Sequence, residues 1–197
     1  MTPSSSSSPN PALLCPNPSS IQALCLGSGR FLRSVLVPVL THHLALPTAI
    51  LQTRGKSFLE YTRDTVDHYT LVKEEAEFPY QYPVDTVSES GEVDTTFVSY
   101  SGAGSLGTME GKEAALELIR QMKVLNVIGV GVTEAGLSSE QTPVMQDLAM
   151  ILKECQICME KGSLKCCYPK GKLCIINTDN VPSKLLKESK CRVTLFF

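Results

Sequence analysis

The stretch Ile21–Arg33, IQALCLGSGRFLR, decides how the rest of the chain is read. Its first six residues are short and mostly apolar, as suits a strand buried on both faces of a sheet. The run stops abruptly at Gly27-Ser28-Gly29, and helical spacing begins at Phe31. In a strand-turn-helix unit that binds a dinucleotide, the first glycine makes the tight turn. The second lets backbone amides approach a pyrophosphate at the positive end of the helix. Arg30 and Arg33 would add charge-assisted hydrogen bonds to phosphate oxygens. The usual third glycine is missing, because Leu32 stands in its place. A bare G-x-G is as often an ordinary turn, so its position after a strand and before a helix carries the weight of the reading.

Outward from this unit, apolar and polar segments alternate as in a βα protein. The spacing predicts a helix over Phe31–Leu44 with Phe31, Val35, Val39 and His42 on one face, kinked at Pro38 by the lost amide. A second strand is expected at Ala49–Gln52. The loop after it, Gln52-Thr53-Arg54-Gly55-Lys56, lacks the acidic residue that NAD enzymes place there for the ribose hydroxyls; the first carboxylate is Glu60. Arg54 and Lys56 would instead attract a 2′-phosphate, while the plainer reading is a solvated basic loop. Further strands are predicted at Tyr69–Val72, Val84–Val87 and Thr96–Tyr100, with a turn over Ser88–Glu92 and a loop over Gly102–Gly107. Helices are predicted at Glu110–Lys123, with Ala114, Leu118, Ile119 and Met122 inward, and at Gln146–Met159, with Leu148, Leu152 and Cys155 inward. Asn126–Thr133 and Leu173–Asn177 read as buried strands. The order implies an α/β fold, Rossmann-like and doubly wound, with a mostly parallel sheet.

Composition sets the outer limits. The chain has 197 residues, 43% apolar and 19% charged, with a formal net charge of -2. That length suits one α/β domain, and the charge offers no basic excess for nucleic acid. No apolar run approaches the ~18–20 residues of a membrane-spanning helix. The first twenty residues, rich in Ser, Pro and Asn, read as a disordered leader without the features of a secretory signal. A reducing, cytoplasmic setting is then the expectation for the eight cysteines. Cys155, Cys158, Cys166 and Cys167 are the one grouping from which a zinc site can be imagined. The i, i+3 spacing of the first two on a helix also describes ordinary core packing, and no metal is expected.

Two polar clusters fall at predicted strand ends, where ligands bind in open α/β sheets: Thr133-Glu134-Ala135-Gly136 and Asn177-Thr178-Asp179-Asn180-Val181-Pro182. Each alone is explained as well by capping or turn chemistry. Together with Gly27–Arg33 and Asp67-His68-Tyr69-Thr70-Leu71-Val72, they resemble, in order, segments of the mannitol dehydrogenase and tagaturonate/fructuronate reductase family. G-S-G-R-F-L-R is similar to its G-x-G-x-F-x-R turn, T-E-A-G to its T-E-x-G strand end, and N-T-D-N-V-P to its D-N-hydrophobic-P segment. The resemblance runs from about Ile21 to Ser183.

The resemblance implies an NAD- or NADP-dependent oxidoreductase that moves hydride between a sugar alcohol and a ketose, or their uronate equivalents. It implies a cofactor-binding domain over residues 21–183. Gly27, Gly29, Phe31 and Arg33 would line the cofactor phosphates, Thr133 and Glu134 would sit near the cofactor, and Asp179 near the nicotinamide end. Ser28, Arg30, Gln52 and Arg54 join the cofactor-binding candidates by their places in the turn and in the loop after the second strand. Asn180 would support the reacting oxygen as alkoxide character develops. In that family the general acid/base lysine comes from a helical C-terminal domain, which residues 184–197 do not resemble. The expectation is therefore a cofactor-binding portion, monomeric or weakly self-associating through an uncovered face, with a small-molecule substrate. A non-catalytic nucleotide-binding module and, less favoured, a zinc-binding interaction domain are the alternatives.

Overall fold

A computed structural model of the chain describes residues 12–68, 77–131, 142–166 and 174–177. Its centre is a six-stranded sheet built from β1 (Leu13–Leu14), β2 (Ala23–Leu26), β3 (Thr48–Gln52), β6 (Gly102–Ser105), β7 (Val127–Val130) and β8 (Cys174–Asn177). A separate hairpin pairs β4 (Tyr80–Val87) with β5 (Val93–Tyr100). Across the sheet the order is β1-β6-β3-β2-β7-β8, with five strands parallel and β1 antiparallel at one edge. The chain proceeds from β2 outward through β3 to β6, then returns to the other side of β2 for β7 and β8. The direction of winding thus reverses at β2.

Both faces of the sheet are apolar, which is why its strands read as continuous apolar runs and not as alternating ones. Leu24, Leu26, Leu51, Ile128 and Val130 face one way, into a core shared with α2 (Met109–Gln121) and α3 (Pro143–Glu160). Ala23, Cys25, Ile50, Ala103 and Val127 face the other. They pack under a helical segment spanning residues 30–43, α1 (Ser57–His68) and the inner side of the hairpin. Each leucine or isoleucine fully withdrawn from water here contributes about 1.5–3 kcal/mol.

The helices begin where their caps predict. Thr108 accepts a hydrogen bond from Gly111 N at α2, and Thr142 accepts one from Met145 N at α3, where Pro143 takes the first turn. Lys112 Nζ lies 2.7 Å from Asp147 Oδ1, a contact of charge more than of hydrogen-bond alignment, and Arg120 joins Glu113 and Glu154. The Lys112–Asp147 and Arg120–Glu154 pairs link α2 to α3. Ala114, Leu118, Ile119 and Met122 are buried as expected, as are Leu148 and Cys155, while Leu152 packs at the margin of the same core.

Three expectations are corrected. Gly102–Ser105 is a strand, not a loop: its glycines admit neighbours, since a Cβ on Gly104 would stand 2.9 Å from Leu51 Cδ2 and 3.0 Å from Leu13 Cδ1. The leader is structured at its end, because Leu13 and Leu14 pair with Gly104 and Ala103 and residues 18–20 form a 3₁₀ turn. Residues 1–11 lie outside the described residues, as do Tyr69–Val72 and 178–197. The helical segment turns a different face inward. Leu32, Leu36, Val37 and Leu40 are buried, while Phe31, Val35, Val39 and His42 are exposed. This helix is apolar on nearly every side, so periodicity alone does not choose the buried stripe.

Pro38 acts on this helix by widening it. Val37 N bonds to Leu32 O, and Leu44 N to Val39 O at 3.1 Å, each spanning five residues instead of four. Thr41 Oγ1 donates to Val37 O at 3.0 Å, satisfying a carbonyl within the distorted turn. Among the described residues, no helix is long and apolar enough to cross a membrane.

Candidate functional site

The Gly27-Ser28-Gly29 turn leaves the carboxyl end of β2, between β3 and β7, where the winding reverses. In open α/β sheets such a point opens a crevice between loops that diverge to opposite faces. Gly27 N donates to Leu51 O at 2.8 Å, and Gly131 N donates to Leu26 O at 2.8 Å, so both neighbouring strands hold the turn in place. Gly27 sits at φ +107°, and a Cβ there would lie 2.5 Å from the Gly131 carbonyl oxygen. Only glycine fits.

Gly29 differs. It is exposed, and among the described residues a Cβ would meet only Gly131 O at an ordinary 3.7 Å. Packing by the described residues supplies no reason for glycine there; room for an approaching ligand would. The first helical amide bonded back within this segment is Arg33 N, to Gly29 O at 3.1 Å. The amides before it have no intrahelical acceptor, and with the helix dipole they form the positive end that favours an anion.

Leu32 occupies the position where a third glycine would allow the helix to close on the sheet. The space comes from β7 and its extension instead. A Cβ on Gly131 would fall 2.5 Å from Leu32 Cδ1, and one on Gly129 would fall 2.5 Å from Leu36 Cδ2. The glycines of the sequence VIGVGV are thus the partners of the helix after β2, which spacing within G-S-G-R-F-L-R does not reveal.

The other expected residues separate into groups. Ser28 is half-buried in the turn, and Arg30 and Phe31 are exposed beside it. Arg33 lies across two aromatic rings, its guanidinium carbon 5.4 Å from the Phe58 ring centre and 5.7 Å from that of Tyr82. Tyr82 OH donates to Arg33 O at 2.7 Å, and Arg33 Nε is buried without a hydrogen-bond partner. Gln52, buried at the end of β3, is spent locally: Oε1 accepts from Phe58 N at 2.9 Å and Nε2 donates to Ser57 Oγ at 3.2 Å. It caps α1, so its side-chain amide is engaged where a ribose contact was expected. Arg54 is exposed in the loop between, and Lys56 pairs with Glu60 at 2.9 Å. Thr133, Glu134, Asp179 and Asn180 lie outside the described residues.

The aromatic cluster beneath Arg33 went unread in the sequence. Phe58, Tyr82 and Tyr100 stand 5.4–6.0 Å apart, and Tyr100 OH shares a hydrogen bond with Thr62 Oγ1 at 2.8 Å. Burial pushes the phenols of Tyr82 and Tyr100 well above their ordinary range. The i, i+2 spacing of Tyr80 and Tyr82, and of Val98 and Tyr100, was the available signal, but it needed the hairpin's inner face to be known.

Cys155 and Cys158 belong to the apolar core under α3, and among the described residues no three His, Cys, Asp or Glu side chains gather as a metal site. Desolvation pushes the Cys155 thiol up to about 12, which opposes the thiolate a zinc ion needs. Cys167 lies outside the described residues. No family model matches this chain, and no curated protein matches it.

Proposed function

We propose that the fold is a Rossmann-like, doubly wound domain and that the chain is the NAD(P)-binding part of an oxidoreductase. The observation that carries this reading is Gly29, an exposed glycine for which the described residues supply no packing reason, at the start of a helix beside the reversal point of a parallel sheet. The parallel strand order β6-β3-β2-β7-β8 corresponds to the 3-2-1-4-5 succession of dinucleotide folds. Helices on both faces agree with it.

The residues fit the group. Gly27 sets the turn, Gly29 leaves room for the pyrophosphate, and the amides of residues 30–32 face it with the helix dipole. Arg30 supplies an exposed charge beside them. The nicotinamide, when bound, would accept or deliver the hydride. The resemblance of Gly27–Arg33, Thr133–Gly136 and Asn177–Pro182 to the polyol and hexuronate dehydrogenases supports a sugar alcohol or uronate as substrate. Exposed Phe31, Val35 and Val39 form an apolar stripe on the helix, and they support weak self-association; sedimentation that stays monomeric at high concentration would remove that part.

The test is a fluorescence titration of the folded chain with NADH and NADPH, beside Gly29→Asp. A side chain at position 29 is tolerated by the fold, while its charge and bulk would exclude a pyrophosphate. Binding that the substitution abolishes supports the reading. Failure of the folded chain to bind either nucleotide sinks it.

A further inference from the structure

We propose that the site selects a 2′-phosphorylated dinucleotide, NADP(H), with Arg33 and Arg54 forming the 2′-phosphate subsite. The inference rests on the dinucleotide reading above and extends it to the adenosine end of the cofactor.

Among the described residues, Arg33 is held in place without a counter-charge. Two aromatic rings support its guanidinium, Tyr82 anchors its carbonyl, and no described carboxylate lies within ion-pair distance of it. Its Nε is buried and unpartnered, although the residue keeps some exposure. A cation in that condition attracts an anion more strongly than one in open water, because the surrounding dielectric is lower. A planar guanidinium stacked on rings is also already oriented to bind two oxygens of a phosphate.

Its position assigns that anion. Phe58 is the second residue of α1, and its amide is bonded to Gln52 at the end of β3. The guanidinium over Phe58 therefore lies beside the first turn of α1, the turn that Gln52 ties to the end of β3. In a βαβ dinucleotide unit the adenosine ribose sits at the end of this second strand. An NAD site places a carboxylate there, which binds the 2′-hydroxyl and repels a 2′-phosphate. Here Gln52 takes its place and is spent capping α1, and the next acidic residue, Glu60, is occupied by Lys56. Among the described residues, no carboxylate at the end of β3 supplies the repulsion that would exclude NADP.

Arg54 completes the subsite from the loop between β3 and α1. That loop is anchored where Ser105 Oγ donates to Gly55 O, next to the exposed Arg54. One arginine is fixed and half-buried, and the other is exposed and able to close over a bound phosphate.

The experiment is calorimetric titration with NADPH, NADH, 2′,5′-ADP and 5′-AMP, on the full chain and on Arg54→Ala and Arg33→Gln. The full chain should bind NADPH at least about tenfold tighter than NADH, as expected for one or more charge-assisted contacts. It should likewise prefer 2′,5′-ADP to 5′-AMP. Each substitution should weaken NADPH binding about tenfold more than NADH binding, and 2′,5′-ADP binding about tenfold more than 5′-AMP binding. Arg54 is exposed, so Arg54→Ala carries the test even where Arg33→Gln does not fold. Equal binding of the two nucleotides, tighter NADH, or a preference that survives the substitutions overturns the subsite and leaves the dinucleotide reading standing. Absence of binding to all four probes overturns the dinucleotide reading itself, and the subsite with it.

Discussion

At Gly27 the backbone occupies the left-handed region with the Gly131 carbonyl where a Cβ would go; at Gly29, two residues on, neither constraint holds. Gly27→Ala should therefore lose more than about 1–2 kcal/mol of stability from backbone strain alone. Gly29→Ala should stay within about 0.5 kcal/mol, as for an ordinary exposed position. Urea unfolding of the two variants measures the difference, and equal losses would contradict the separate roles assigned here. Titrating side chains give a second expectation. Burial pushes the thiols of Cys15, Cys25 and Cys155 from 9.0 to about 12, and the phenol of Tyr80 from 10.0 to about 12. Folded values above the unfolded ones mean that this stability is intact below pH 9 and declines as the unfolded chain ionises first, between about 9 and 12. Denaturant midpoints measured from pH 7 to 11 should fall in that window; a midpoint that holds steady to pH 11 contradicts the burial of these groups. The sequence made Gly27 legible as a turn glycine, but not the different status of Gly29, which depends on how near the Gly131 carbonyl comes.

Among the elements, the helix over residues 30–43 shows how far a pattern reaches. Its existence and its disturbance at Pro38 follow from spacing and from the missing amide. Its buried face does not follow, because Phe31, Val35 and Val39 compete with Leu32, Leu36 and Leu40 as apolar stripes of one helix. The choice is made by β7 and its extension, where Gly129 and Gly131 leave space for the second stripe. Gly129→Ala should cost about 1–3 kcal/mol by overpacking against Leu36 and Cys25. Leu36→Ala should cost about 2–5 kcal/mol through its cavity. Because each change relieves the other's defect, the double variant should be more stable than the sum of the two predicts. Additive losses in thermal or denaturant unfolding would contradict the contact. The strand Gly102–Ser105 was illegible for a related reason. Four small residues carry no strand signal of their own, and only the close approach of Leu13 and Leu51 gives them one.

For the whole molecule, the alternation of apolar strands with amphipathic helices was enough to anticipate a mostly parallel α/β sheet. The hairpin was legible too, since Gly91 and its polar neighbours separate two β-rich runs. Strand order was not: it depends on contacts between Ala23–Leu26 and segments far along the chain, and no local pattern encodes them. That order gives the Gly27–Gly29 turn its meaning, because it places the turn where two halves of the sheet diverge. The central claim, that this turn and the first turn of the following helix hold the pyrophosphate of a dinucleotide, is tested most directly by amide hydrogen exchange with and without saturating NADPH. The account predicts slowed exchange concentrated at residues 27–33, with the cores under α2 and α3 unchanged. Unaltered exchange at residues 27–33 in the folded protein, or protection confined to another part of the sheet, would contradict it.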